Sequence, residues 1–165
     1  SEAVNRAGGE TVRTGVGEMA VATGLDTEGV GFGGEPSGLW IWDDEIRCPD
    51  AHFAACKLVE SIRRDGPLSA QRAPFADRYS TRRGCLKAGE KHDAINRVRR
   101  RLSGEYDRID TTDGIRVDTD DGWFLIRASG TEPVVRITAD ATDSATADRL
   151  FSRAERLIES VALSV

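Results

Sequence analysis

Between residues 107 and 141 four short strand-forming runs follow one another, and no other stretch narrows the choice of fold as much. Residues 107–111, 115–118, 123–127 and 134–141 are rich in β-branched and aromatic side chains, which suit a pleated, half-buried surface. Asp113-Gly114 and Asp121-Gly122 separate the first three, and an Asp-Gly pair supplies the positive φ that a tight hairpin needs. The strands are therefore antiparallel. A further strand is expected at 78–87 and a helix at 90–102, with Ile95, Val98 and Leu102 on one side. A closing helix over 143–161 carries the apolar stripe Ala147, Leu150, Ala154, Leu157, Ile158 and Val161, capped by Asp143 or Ser144. This predicts an α+β domain: an antiparallel sheet flanked by two helices.

The chain before this domain has a different rhythm. Residues 2–7 end a helix at Gly8-Gly9, 11–14 read as a short strand, and 17–23 as a helix holding Met19, Val21 and Ala22. Residues 29–32 form a strand that is interrupted at 33–38 and resumed by the apolar run 39–42. After Pro49, Phe53, Cys56, Leu58, Val59 and Ile62 recur at helical spacing until Gly66-Pro67 stops them. This succession is typical of α/β packing. Residues 69–77 lack apolar periodicity and contain Pro74, so the boundary is placed near residue 70, with one domain over 1–70 and another over 71–165.

Composition excludes several functions. No apolar run approaches the roughly 20 residues of a membrane span, and the first ten residues have no signal-peptide core, so a soluble, cytoplasmic protein without membrane partners is expected. Cys48, Cys56 and Cys85 are an odd count and far apart, which indicates neither a disulfide framework nor a CxxC site. His52 and His92 have no metal-ligand spacing. The net charge of −5 argues against nucleic acid, and the cluster Arg97, Arg99, Arg100 and Arg101 complements the end of a helix.

Two loops concentrate polar chemistry. From Arg127 to Arg136 an arginine, two hydroxyls and a glycine stand between two strands. Gly130 can take a positive φ that lets backbone N–H groups converge, Ser129 and Thr131 add donors, and Arg127 and Arg136 offer planar forks for phosphate oxygens. The same residues also fit an ordinary hairpin loop in which Glu132 pairs with Arg136. In the second loop, Gly33 to Gly38, three glycines permit close approach of a ligand, while Glu35 and Ser37 offer an acceptor and a donor for vicinal hydroxyls. A glycine-rich turn is the plainer account of it.

The string Arg-Ala-Ser-Gly-Thr-Glu-Pro from Arg127 to Pro133, with Arg136 on the next strand, resembles the phosphate-binding loop of the α-D-phosphohexomutase family. That family includes phosphoglucomutase, phosphomannomutase and phosphoglucosamine mutase. Gly-Gly-Glu-Pro-Ser-Gly at 33–38 resembles its sugar-binding loop, and Thr14-Gly15-Val16-Gly17 and Arg47-Cys48-Pro49-Asp50 resemble further parts of its third domain.

The resemblance implies a partial α/β third domain followed by a complete C-terminal domain, in an enzyme that interconverts hexose 1- and 6-phosphates. Glu35 and Ser37 would hold the sugar hydroxyls, and Arg127, Ser129, Gly130, Thr131 and Arg136 the phosphate that is not transferred. The family uses a phosphoserine loop and a Mg²⁺-binding Asp-rich loop, and neither motif occurs in these 165 residues. No catalytic residue and no metal ligand is therefore expected here. The implied partners are a hexose phosphate and the N-terminal domains of the mutase, in cis or in trans, with no turnover by this chain alone. A non-catalytic sugar-phosphate binding module is the alternative. Leu39 stands where some members have a histidine, and Ala51 where a glycine often follows the Asp.

Overall fold

The structure is a computed structural model that describes residues 2–76, 78–88, 90–106 and 109–162. The chain divides into two compact units, Ser1–Arg72 and Ala73–Val165.

The second unit is built on a five-stranded antiparallel sheet in the order β3-β7-β6-β5-β4. Its strands are β3 (Ser80–Lys87), β4 (Ile109–Asp110), β5 (Ile115–Asp118), β6 (Gly122–Ala128) and β7 (Val134–Ala141). Side chains alternate between the faces of a strand. Ile115, Val117, Phe124, Ile126, Val135, Ile137 and Ala139 thus share one face and are completely or almost completely buried. Two helices cover that face: α5 (Lys91–Leu102) with Val98 and Leu102, and α6 (Ser144–Ala162) with the whole stripe expected from the sequence. Asp143 caps α6 by accepting from the Thr146 N–H at 2.9 Å. The other sheet face carries Arg116, Asp118, Trp123, Leu125, Arg127 and Arg136, and there the Arg116 guanidinium lies 3.9 Å from the Trp123 ring centroid. The α+β expectation holds.

Local differences have identifiable causes. Asp113-Gly114 turns between β4 and β5 as expected, but Gly122 opens β6 rather than closing a turn. A Cβ there would lie 2.4 Å from the Asp140 carbonyl oxygen, so close strand approach is what requires that glycine. The strand predicted at 107–111 contributes Ile109–Asp110, while residues 107 and 108 lie outside the described residues.

The first unit contains α1 (Glu2–Arg6), α2 (Glu18–Gly24), a hairpin of β1 (Phe32–Gly34) and β2 (Trp40–Trp42), α3 (Ala51–Asp65) and α4 (Leu68–Arg72). Its core is small: Val21, Leu25 and Ile41, with Ala22, Val30 and Leu39 packed against them. Asp50 caps α3 by accepting from the His52 and Phe53 N–H groups. The strand predicted at 11–14 does not form, because no described strand offers it a ladder. Strand 29–32 shifts to Phe32–Gly34, so Gly33 and Gly34 belong to the ladder rather than the loop. The connection predicted at 69–77 is helical instead, as α4 and a 3₁₀ turn at Ala73–Phe75, and residue 77 lies outside the described residues. Gln71 explains part of this: its amide accepts from Ser61 Oγ and donates to the Ser61 and Gly66 carbonyls, which anchors α4 to α3.

Candidate functional site

Residues 129–133 join β6 to β7, and the Ser129 N–H closes the loop on the Val134 carbonyl at 2.9 Å. Within it the Ser129 hydroxyl accepts from the Glu132 N–H at 3.3 Å. Ser129 is only 2% exposed, and its hydroxyl takes the place of water for that amide. It is an internal brace whose own proton stays available for donation. Gly130 does not take a positive φ, which corrects the expectation from the sequence. The Ser129 to Glu132 bond closes the turn by a side chain, so no left-handed residue is needed. Among the described residues neither the Gly130 nor the Thr131 N–H has an acceptor, and both residues are exposed. Two backbone donors and the Thr131 hydroxyl are thereby presented at the loop tip.

Arg127 and Arg136 are direct partners in the β6–β7 register, on the face turned away from the core. Like charges opposite one another on a ladder repel. Each has an acidic neighbour: Arg136 Nη2 lies 2.6 Å from Glu132 Oε2, the pairing that an ordinary hairpin loop would show, and Arg127 Nε lies 3.8 Å from Asp113 Oδ2. The first is an exposed ion pair, worth about 0–1 kcal/mol, and the second is near the limit of ion-pair distance. Either guanidinium can therefore turn to an incoming anion at little cost.

Glu35 and Ser37 lie in the first unit, on the tip of the β1–β2 hairpin. The Gly38 N–H donates to the Glu35 carbonyl at 3.0 Å and the Glu35 N–H to the Leu39 carbonyl at 2.9 Å. The Glu35 carboxylate is held at both oxygens, by the Gly17 N–H at 2.7 Å and by the Ser37 hydroxyl at 3.0 Å. Each oxygen keeps a second lone pair, so the group remains an acceptor in a fixed orientation. Gly17, the residue before α2, has φ 112° and ψ 156°, a conformation that a side chain would strain. A cleft of about 320 Å³ elsewhere in this unit is lined by Trp40, Trp42, Lys57, Ser61 and Arg64. Its cations are already paired, Lys57 with Glu45 at 2.5 Å and Arg64 with Asp65 at 2.9 Å.

Gly17 lies in the Thr14–Gly17 string that the sequence singles out only by resemblance, without its role of holding Glu35, and Lys91 is not singled out at all. Lys91 Nζ donates to the Ser129 and Glu132 carbonyls, at 2.5 and 3.0 Å, and its one advance signal is a cation in the first turn of a helix, where the dipole disfavours it. For Mg²⁺ the described residues are a poor fit. Among them no three His, Cys, Asp or Glu side chains gather where one ion could be held. The acidic run 118–121 is a hairpin whose Asp118 pairs with Arg116 and whose Asp121 pairs with Arg149. No helix of the described residues is long and apolar enough to cross a membrane.

Comparison with known proteins matches both halves of the chain. Residues 1–79 match the family model described as phosphoglucomutase/phosphomannomutase, alpha/beta/alpha domain III, and residues 82–157 match the C-terminal domain of the same family. A probable phosphoglucosamine mutase from Methanocella arvoryzae is 41% identical over 154 residues, 92% of this chain and 35% of that protein. Another, from Pyrococcus horikoshii, is 42% identical over 162 residues, 96% of this chain and 36% of that protein. The crystal structure of a phosphoglucomutase/phosphomannomutase family protein from Burkholderia thailandensis superposes with a TM-score of 0.80 at 26% identity, covering 96% of this chain and 34% of that one. The chain thus spans about a third of the length of these relatives. It belongs to the phosphohexomutase family, to whose domain III and C-terminal domain its two halves correspond.

Proposed function

We propose that this chain is the substrate-holding C-terminal portion of a phosphohexomutase, with a hexosamine phosphate, glucosamine 1- or 6-phosphate, as its ligand. The observation that carries the reading is the loop tip after β6, where the Gly130 and Thr131 N–H groups lack acceptors among the described residues, beside the cross-strand pair Arg127 and Arg136. Backbone donors next to two guanidiniums match the several oxygens of a phosphate monoester. In this reading Arg127, Gly130, Thr131 and Arg136 hold the phosphate that is not transferred, with Ser129 bracing the loop and donating its hydroxyl proton. Glu35 and Ser37 take the sugar hydroxyls. The choice of hexosamine rests on the names of the relatives from Methanocella and Pyrococcus.

Phosphoryl transfer depends on positioning and charge neutralisation around the group that moves. The described residues offer a grip on the stationary end of the substrate and no cluster for a divalent cation. Transfer is therefore assigned to segments outside this sequence, and the chain alone is expected to show no turnover. Calorimetry of the chain with glucosamine 6-phosphate, beside a coupled mutase assay, tests both halves of the reading. Binding without turnover is expected, and turnover by the chain alone would overturn the division of labour. Arg127→Ala is expected to weaken binding by about tenfold or more, since a hydrogen bond to a charged group contributes about 1.5–3 kcal/mol. Unchanged affinity would remove the clamp.

A further inference from the structure

Lys91 opens α5 at a position where its charge opposes the helix dipole, so helix formation does not account for it. Its ammonium reaches the loop of residues 129–133 and donates to the Ser129 carbonyl at 2.5 Å and the Glu132 carbonyl at 3.0 Å. The far end of the loop is held separately: the Ala88 N–H, one residue past β3, donates to the Pro133 carbonyl at 3.2 Å and continues the β3–β7 ladder. Both ends of the loop are thus fastened, by the first residue of α5 and by the end of β3.

The direction of these bonds matters for the loop tip. A trans peptide points its carbonyl and its N–H in opposite directions, and no cis peptide occurs among the described residues. When Lys91 draws the Ser129 carbonyl toward itself, the Gly130 N–H of the same peptide unit is turned away from the helix. The nearby positive charge also polarises that unit and strengthens its N–H as a donor. The Glu132 carbonyl belongs to the peptide unit of Pro133, which has no N–H, so the second bond can only fix the chain.

We propose that Lys91 is the positioning residue of the loop: it clamps the backbone so that the Gly130 N–H faces outward, and it adds a positive charge behind the loop tip that favours a phosphate monoester. This rests on reading the loop as a phosphate site, and the experiment separates the two. The chain is titrated with inorganic phosphate and with glucosamine 6-phosphate while the Gly130 and Thr131 amide resonances are followed. The unsubstituted chain is expected to shift at both amides. Lys91→Met is expected to bind on the order of tenfold more weakly and to show faster motion of residues 129–133 without ligand, and Lys91→Arg to recover most of the affinity. If Lys91→Met does not fold, Lys91→Gln, which keeps a donor without the charge, carries the same comparison. Binding that is indifferent to Lys91, or a loss that Lys91→Arg leaves unrepaired, overturns the positioning role alone. No amide shift in the unsubstituted chain overturns the phosphate reading and the role of Lys91 with it.

Discussion

Gly114 shows how tightly a single turn residue can be fitted against the neighbouring strand. It has φ 94°, and a Cβ on it would lie 2.4 Å from the Ile126 carbonyl oxygen and 2.7 Å from Arg127 Cβ. Gly114→Ala combines left-handed strain with a clash against β6, so a loss of about 2–4 kcal/mol is expected, together with weaker phosphate binding through Arg127. Urea denaturation checks the first part, and a change within about 0.5 kcal/mol would refute it. Asp143 makes a different prediction. Its carboxyl is held below the usual aspartate value, first by the Thr146 backbone N–H and then by the Thr146 hydroxyl. A depressed folded-state pKa stabilises the fold above the unfolded-state value of about 3.9, and this is lost as pH falls through the folded value. Asp148, depressed by its bond to the Arg82 guanidinium, acts in the same direction. Melting temperature should therefore drop below about pH 4, and Asp143→Ala should flatten that drop while lowering the melting temperature at pH 7. An acid limb identical in the variant would count against the cap.

Helices with similar apolar periodicity meet different fates. In α6 the stripe is buried from Ala147 to Val161 against the sheet. In α3 Phe53 is half-buried beside Trp42, at 5.4 Å between ring centroids, whereas Val59 is 65% and Ile62 40% exposed. Periodicity records which residues could share a face, and burial also needs an element to cover that face. Leu157→Ala should then cost about 2–5 kcal/mol, while Val59→Ala should stay within about 0.5 kcal/mol. Denaturant titrations of the two variants decide this, and equal losses would mean that the α3 face is covered in solution.

On the scale of the whole chain, the two units have very unequal cores. The second unit buries side chains from three strands and two helices, with parts of β3 and β4 packed against them, whereas the first rests chiefly on Val21, Leu25 and Ile41. Free energies of local opening follow buried apolar contact. Hydrogen exchange should accordingly show the amides of β1 and β2 opening far more readily than those of β6 and β7, with unfolding that departs from a single two-state transition. Uniform protection across both units would contradict this.

Much of the second unit was legible in the sequence, because its signals are local. Hairpin residues such as Asp113-Gly114, the six-residue stripe of α6 and the acidic cap Asp143 act within a few positions of themselves. The loop string at 127–133 likewise announced the family to which the chain belongs. Residues 11–14 were misjudged because a strand depends on a partner supplied from elsewhere in the fold. The candidate site divides the same way. Its residue types could be read in order along the chain, but the opposition of Arg127 and Arg136, the hold of Gly17 on Glu35 and the clamp of Lys91 on Ser129 join residues 9 to 38 positions apart. Sequence by itself determined which chemical groups are present and which elements carry them. Only tertiary structure decided which donors are used up inside the fold and which are left facing a ligand, because a hydrogen bond is settled by distance in space rather than by spacing along the chain.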